Sequence, residues 1–176
     1  MERLEAFIEA CTDGVSCLHE NEKGIYGDND IRCLDILSTF NGRMKGIFDP
    51  ANFIQCKVKI IPAYNMLEPF IDYLHIKDAI MSTGKVVPSG MGDGHLGEVI
   101  DRFAQKSGTK FLSVEPHLKV FDGLKSLRDD ISVMAQDYTY NSSEDAYDAA
   151  IKALKDILIS LNYKEIFEGN VPLWKR

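Results

Sequence analysis

The chain has 176 residues, a net charge of −7, and a composition that is 45% hydrophobic and 27% charged. This is ordinary for one soluble globular domain, here 1–176, with enough apolar material for a single core. The acidic balance argues against broad binding to phosphate backbones, which needs clustered Lys and Arg, so no nucleic-acid partner is expected. No stretch approaches the roughly 18 apolar residues of a membrane span, so no membrane partner is expected either.

In chain order, MERLEAFIEAC reads as an amphipathic helix rather than a signal peptide, with Leu4, Phe7, Ile8 and Cys11 at helical spacing. A cytoplasmic location follows as the expectation. Asp13-Gly14 ends this helix before the extended run VSCLHE. Asp28 or Asn29 can cap a second helix carrying Cys33, Leu34, Leu37 and Phe40; Asn41-Gly42 stops it, and RMKGIFD follows as a strand. In the third unit, Pro62 and Pro69 leave room only for a short helix starting near Pro62, and IDYLHIKD is the next strand. Leu96, Val99, Ile100 and Phe103 mark a fourth helix, stopped by Ser107-Gly108, with KFLSVE as its strand. The span 123–143 mixes charge and turn residues and is expected to be the loosest loop. The chain then closes with a helix that begins at an S-x-x-D capping pattern from Ser142. Four strands alternating with helices imply an α/β architecture: a parallel sheet with right-handed crossovers.

Cys11, Cys17, Cys33 and Cys56 form no CxxC pair and no zinc-ribbon spacing. They are expected to be reduced, mostly buried small hydrophobes.

Each strand delivers a metal-competent side chain at its C-terminal end: Glu20, Asp49, His75 and Glu115. In parallel α/β proteins that rim is where ligands bind. Taken singly, each acid is also explained as a helix cap or a solvated turn residue. Taken together they would repel one another unless a cation sat among them. Alternation puts Glu20 in phase with Leu18, Asp49 with Ile47, His75 with Tyr73 and Lys77, and Glu115 with Ser113, and turns His19 toward the helices. Glu22 shares the phase of Glu20 and is a substitute ligand beyond the strand end. Three carboxylates and one imidazole suit Mn²⁺ or Mg²⁺ first, with Co²⁺ or Zn²⁺ as alternatives.

The runs HENEKGIYGD, FDPANF, YLHIKDA, VVPSGMGDG and SVEPH, in that order, resemble the sugar phosphate isomerase/epimerase family, the xylose-isomerase-like TIM barrels. The resemblance extends through FDGLKSL to the terminal helix. It implies a divalent metal held by Glu20, Asp49, His75 and Glu115, the ligands of the last four barrel strands. It also implies a metal-dependent sugar or sugar-phosphate isomerase or epimerase, working by proton abstraction next to a carbonyl through a metal-stabilised enediolate. Glu20 and Glu115 would be the catalytic acid–base pair. Asn52 stands where relatives often carry a substrate-binding His. Lys77 is a candidate for a substrate oxygen or phosphate, or else a solvated charge, and His117, in phase with Glu115, is a further substrate-binding candidate. The glycines of GMGDG either let the loop approach substrate or simply make a turn and cap.

A complete (β/α)₈ barrel needs about 200 to 250 residues or more. The expectation is therefore a half-barrel of parallel (β/α) units matching the last four strands, without the first half. Such a layer has an apolar inner face and two open edges, and is expected to pair with its own copy or with a separate N-terminal half-barrel chain. Two other readings stand beside the isomerase: a non-catalytic truncated barrel or assembly subunit, and an AP-endonuclease-like metal-dependent phosphodiesterase. The last would need more histidines than the four present.

Overall fold

The apolar spacing of the N-terminal residues produces α1 (Glu2–Ala10), whose Leu4 and Ile8 pack against the core. It is followed by β1 (Cys17–Glu20), α2 (Asp30–Thr39), β2 (Met44–Phe48), α3 (Pro50–Gln55), α4 (Ile60–Leu67) and a short 3₁₀ turn (Glu68–Phe70). Then come β3 (Ile71–Ile76), β4 (Asp78–Ala79), β5 (Val86–Val87), α5 (Leu96–Ala104), β6 (Phe111–Val114), α6 (Ser143–Ser160), β7 (Lys164–Glu168) and β8 (Val171–Lys175). This computed structural model describes residues 1–118, 138 and 140–176; most of the expected loose loop, 123–137 and 139, lies outside them. Among the described residues no helix is long and apolar enough to cross a membrane.

The main sheet is four-stranded in the order β1-β2-β3-β6, and every neighbouring pair is parallel. Its helix-facing side supplies the core: Met44, Phe48, Leu74 and Ile76 are buried there with Leu37, Tyr64, Leu67 and Phe103 from the helices. The other side is more open. Leu18 is 37% exposed and Phe111 62% exposed, while Ile47 and Tyr73 are half-buried.

The register between β2 and β3 slips once: Gly46 lies opposite Ile71, but Ile47 lies opposite Tyr73. Asp72 is thus an extra residue, a bulge that lets Ile71 stay on the helix side while Tyr73 and His75 take the opposite side. Ile71 lies so close over Gly46 that an added Cβ there would meet its Cδ1 at 2.6 Å.

The caps explain where the helices start. Asn29 Oδ1 accepts from the Arg32 N–H at 2.9 Å, and Ser142 with Asp145 forms a reciprocal capping box. The third unit differs from expectation: it holds two helices, because Asp49 caps a first one at Pro50 and a second begins at Ile60, two residues before Pro62. Nor does the chain close with α6. Residues 164–175 turn back as an antiparallel hairpin around Gly169-Asn170, with Trp174 packed on the core. The cysteines also depart from expectation: Cys33 is buried, but Cys11, Cys17 and Cys56 are only partly covered, because α1 and the loop after α3 sit at the edge of the core.

One buried carboxylate organises the segment between β3 and α5. Asp78, 1% exposed, accepts the backbone N–H groups of Ala79, Gly90, Gly92 and Gly94 at 2.8–3.0 Å. A Cβ on Gly92 would fall 2.4 Å from the Asp78 Oδ1, and one on Gly94 would fall 2.6 Å from it. The glycines of GMGDG therefore give their amides close access to Asp78. Asp78→Ala would leave four donors without their acceptor and is expected to cost about 3 kcal/mol or more, measured as a lowered midpoint in urea unfolding.

Candidate metal centre

All four strands of the main sheet end at the same rim, and each contributes one side chain there. Glu20 is the last residue of β1. Asp49 follows β2 and is the N-cap of α3, its Oδ1 accepting the Asn52 N–H at 2.9 Å. His75 lies near the end of β3, and Glu115 follows β6. One ligand atom from each of the four lies within 4.8 Å of all the others. They do not share one row of the sheet: Glu20 is opposite Ile47, two residues before Asp49, and His75 is opposite Ser113, two before Glu115. This stagger is the kind that tilted barrel strands require.

Cationic groups already lie among the carboxylates. His75 Nδ1 is 2.9 Å from Glu20 Oε1 and 3.5 Å from Glu115 Oε2. Lys77 Nζ is 2.9 Å from Asp49 Oδ2 and donates to Glu115 Oε2 at 2.8 Å. At 1% exposure Lys77 is not a solvated charge; it is the buried counterion of two of the four acids. Burial alone would push its ammonium down, but Asp49 and Glu115 outweigh this and hold it above the ordinary lysine value. Burial also pushes Asp49 up, to about 7, against the pull of Lys77 and the Asn52 N–H. Glu115 is held well below the usual carboxylate range: burial would raise it, but the His75 hydrogen bond and Lys77 prevail. Burial would lower His75, yet its contacts with Glu115 and Glu20 lift it to about 10.

Around these groups, Asn52 Nδ2 reaches Glu20 Oε1 at 3.2 Å and the Asn21 carbonyl at 3.0 Å. His117, in a left-handed backbone conformation, places Nε2 3.3 Å from Glu115 Oε1. All three second-rank residues, Asn52, Lys77 and His117, therefore touch a member of the four. Glu22 accepts the Lys23 N–H at 2.8 Å and the Asn52 amide at 3.4 Å, and stands outside the group. His19 faces the helix layer, its Nε2 4.0 Å from Cys33 Sγ.

Asn21 is the residue that sequence reasoning passed over. It is buried, and its side chain brackets the Asp49 peptide, donating Nδ2 to the Asp49 carbonyl and accepting the Asp49 N–H, both at 2.9 Å. The amide thus continues the β1–β2 ladder past the end of β1 and fixes the backbone that carries Asp49. Its position directly after Glu20 was the available signal.

No family model matches the sequence, and no curated protein is similar to it by sequence. Solved structures are similar in fold. A D-tagatose 3-epimerase-like protein superposes with a TM-score of 0.62 at 16% identity, over 92% of this chain and 54% of that one. D-psicose 3-epimerase from Clostridium cellulolyticum H10, crystallised with D-tagatose, gives 0.61 at 17% over 90% and 53%. A probable 3-DHS dehydratase of petrobactin synthesis from Bacillus anthracis gives 0.60 at 15% over 88% and 54%. The chain is thus similar in fold to part of these TIM barrels and spans about half the length of the structures it matches.

Two outcomes follow from the ion pairs. Lys77→Met leaves Asp49 buried without a counterion and is expected to cost about 3–5 kcal/mol; adding Asp49→Asn should recover part of it, as read by chemical denaturation. In metal-free protein the His75 ring should titrate by NMR near its raised value of about 10. Because the folded value lies above the unfolded one, the stabilisation it reports is complete below about pH 6.5 and is lost as pH rises through about 10.

Proposed function

We propose that Glu20, Asp49, His75 and Glu115 hold one divalent cation, Mn²⁺ or Mg²⁺ before Co²⁺ or Zn²⁺, in a sugar or sugar-phosphate isomerase or epimerase site. The observation that carries the reading is the meeting of one ligand atom from each of four strand ends within 4.8 Å. The residues fit a cation in two ways. The donor set is oxygen-rich with one imidazole, which suits a hard or borderline ion. Among the described residues the buried Asn52 Oδ1 also lacks a hydrogen-bond donor, and the buried Asp49 Oδ2 meets only the Lys77 ammonium.

A bound cation would supply Lewis acidity to a ketose carbonyl and its neighbouring hydroxyl, making the C–H between them more acidic. The chain's own groups then handle the proton. Glu20 and Glu115 come from the two outer strands of the sheet and keep 28% and 34% of their side-chain surface open. A sugar lying between them would meet a carboxylate on each side, one removing the proton and the other returning one. Delivery to the opposite face of the same carbon is epimerisation, and transfer to the adjacent carbon is isomerisation. Asn52 orients Glu20 through its amide, His117 flanks Glu115, and either can turn to a substrate hydroxyl. Fold likeness to a D-psicose 3-epimerase crystallised with D-tagatose supports a carbohydrate as substrate. The phosphodiesterase reading is weaker because only one of the four histidines is in the cluster.

Calorimetric titration of the chelator-treated chain with Mn²⁺ is expected to show saturable binding, weakened at least about tenfold in Glu115→Ala, a loss of about 1.4 kcal/mol. Absence of binding in the parent chain would overturn the metal reading; binding without turnover of any ketose would leave the metal site and remove the isomerase.

The open side of the sheet supports a further reading of the same site. Leu18 and Phe111 are exposed on the face away from the helices, and among the described residues β1 and β6 are the edges of the sheet. A copy of the chain would cover them with a second four-stranded layer. Light scattering is expected to give a dimer mass, and a stable, monodisperse monomer would contradict this.

A further inference from the structure

Two cysteines flank the turn joining α1 to β1. Cys11 is the C-cap of α1 and Cys17 opens β1. Their sulfurs are 3.0 Å apart, inside van der Waals contact for two thiols and about 1 Å longer than a disulfide bond. Both are partly covered, not sealed, so a small oxidant can reach them. Their surroundings direct them to each other: Cys17 packs on the core, and the Cys11 thiol also leans on the Phe7 carbonyl at 3.4 Å. The intervening turn can close the gap, because Gly14 has a left-handed φ of +86° and nothing within 4 Å of where a Cβ would stand. The other two cysteines lack this arrangement. Cys33 is buried, bonds the Gly27 carbonyl at 3.2 Å, and its thiol is pushed up to about 12 by burial, while Cys56 is partly covered with no sulfur partner among the described contacts.

We infer that Cys11 and Cys17 are a redox-sensitive pair that a hydroperoxide converts to a reversible disulfide, stapling α1 to the strand that ends in Glu20. The step balances in two parts. One thiol is oxidised by hydrogen peroxide to a sulfenic acid, releasing one water as the O–O bond breaks. The second sulfur then attacks the first, forming the S–S bond and releasing another water. Two thiols lose two hydrogens, the peroxide is reduced, and an external dithiol reverses the change by exchange.

The test is oxidation of the native chain with hydrogen peroxide, followed by digestion with a protease that cuts before Asp13, between the two cysteines. Expected is one linked species joining the Cys11 and Cys17 peptides, two hydrogens lighter than the reduced pair, restored by dithiothreitol and absent in Cys11→Ser. Circular dichroism of that variant checks that it is folded. Oxidation of the urea-unfolded chain should instead give mixed pairings among the four cysteines. Links to Cys33 or Cys56 in the native chain, a crosslink between chains through Cys11, or over-oxidation of Cys17 without a link would each overturn the inference.

Discussion

Three carboxylates cannot share one partly buried pocket without positive charge between them, and the rest of the site is arranged around that requirement. Lys77 supplies one charge from inside, on the same strand path as His75 and within 3 Å of both Asp49 and Glu115. His75 supplies a second when both its ring nitrogens are protonated, with Nδ1 facing Glu20. The four ligands can therefore be held together by the chain's own groups, so the pocket does not depend wholly on an ion for its shape. A site built this way is preorganised: a cation, if one binds, would share the acids with an ammonium rather than assemble scattered loops.

Much of this was legible in the sequence because two periodicities coincide. Helical spacing located α1, α2, α5 and α6, and period-2 alternation put Glu20, Asp49, His75 and Glu115 on one side of four strand ends. The misses have local causes. The Asp72 bulge breaks alternation inside β3, but Tyr73, His75 and Lys77 all lie beyond it and keep one phase. The helix at Pro50 is short and was missed although a cap was one reading of Asp49; its Oδ1 caps that helix while its Oδ2 faces Lys77. Asn21 escaped because a residue beyond a strand is read as loop, although its side chain here imitates a strand's backbone. The C-terminal hairpin carried a turn signal in Gly169-Asn170, but only short apolar runs beside it. Alternation placed Lys77 on the side of His75, but its complete burial depends on Asp49 and Glu115, residues 28 and 38 positions away.

Asp78 shows how a glycine-rich motif can serve packing. A carboxylate in a dry setting needs donors, and here they are backbone amides that only side-chain-free residues can bring so near. The loop from β3 to α5 is thus drawn down beside the rim by an interaction independent of metal or substrate. Its position stays defined whatever occupies the pocket.

The stagger of the ligands across β1, β2, β3 and β6 also has a kinetic meaning. Glu20 and Glu115 are 95 residues apart in the chain, and every strand between them must be docked in register before their oxygens can meet. Such non-local pairings form late and slowly. A cation that recognises all four ends would act on the finished sheet more than on its assembly, slowing unfolding while leaving the folding rate nearly unchanged. Resistance to unfolding in added metal would thereby report the integrity of the whole layer, not of any one strand.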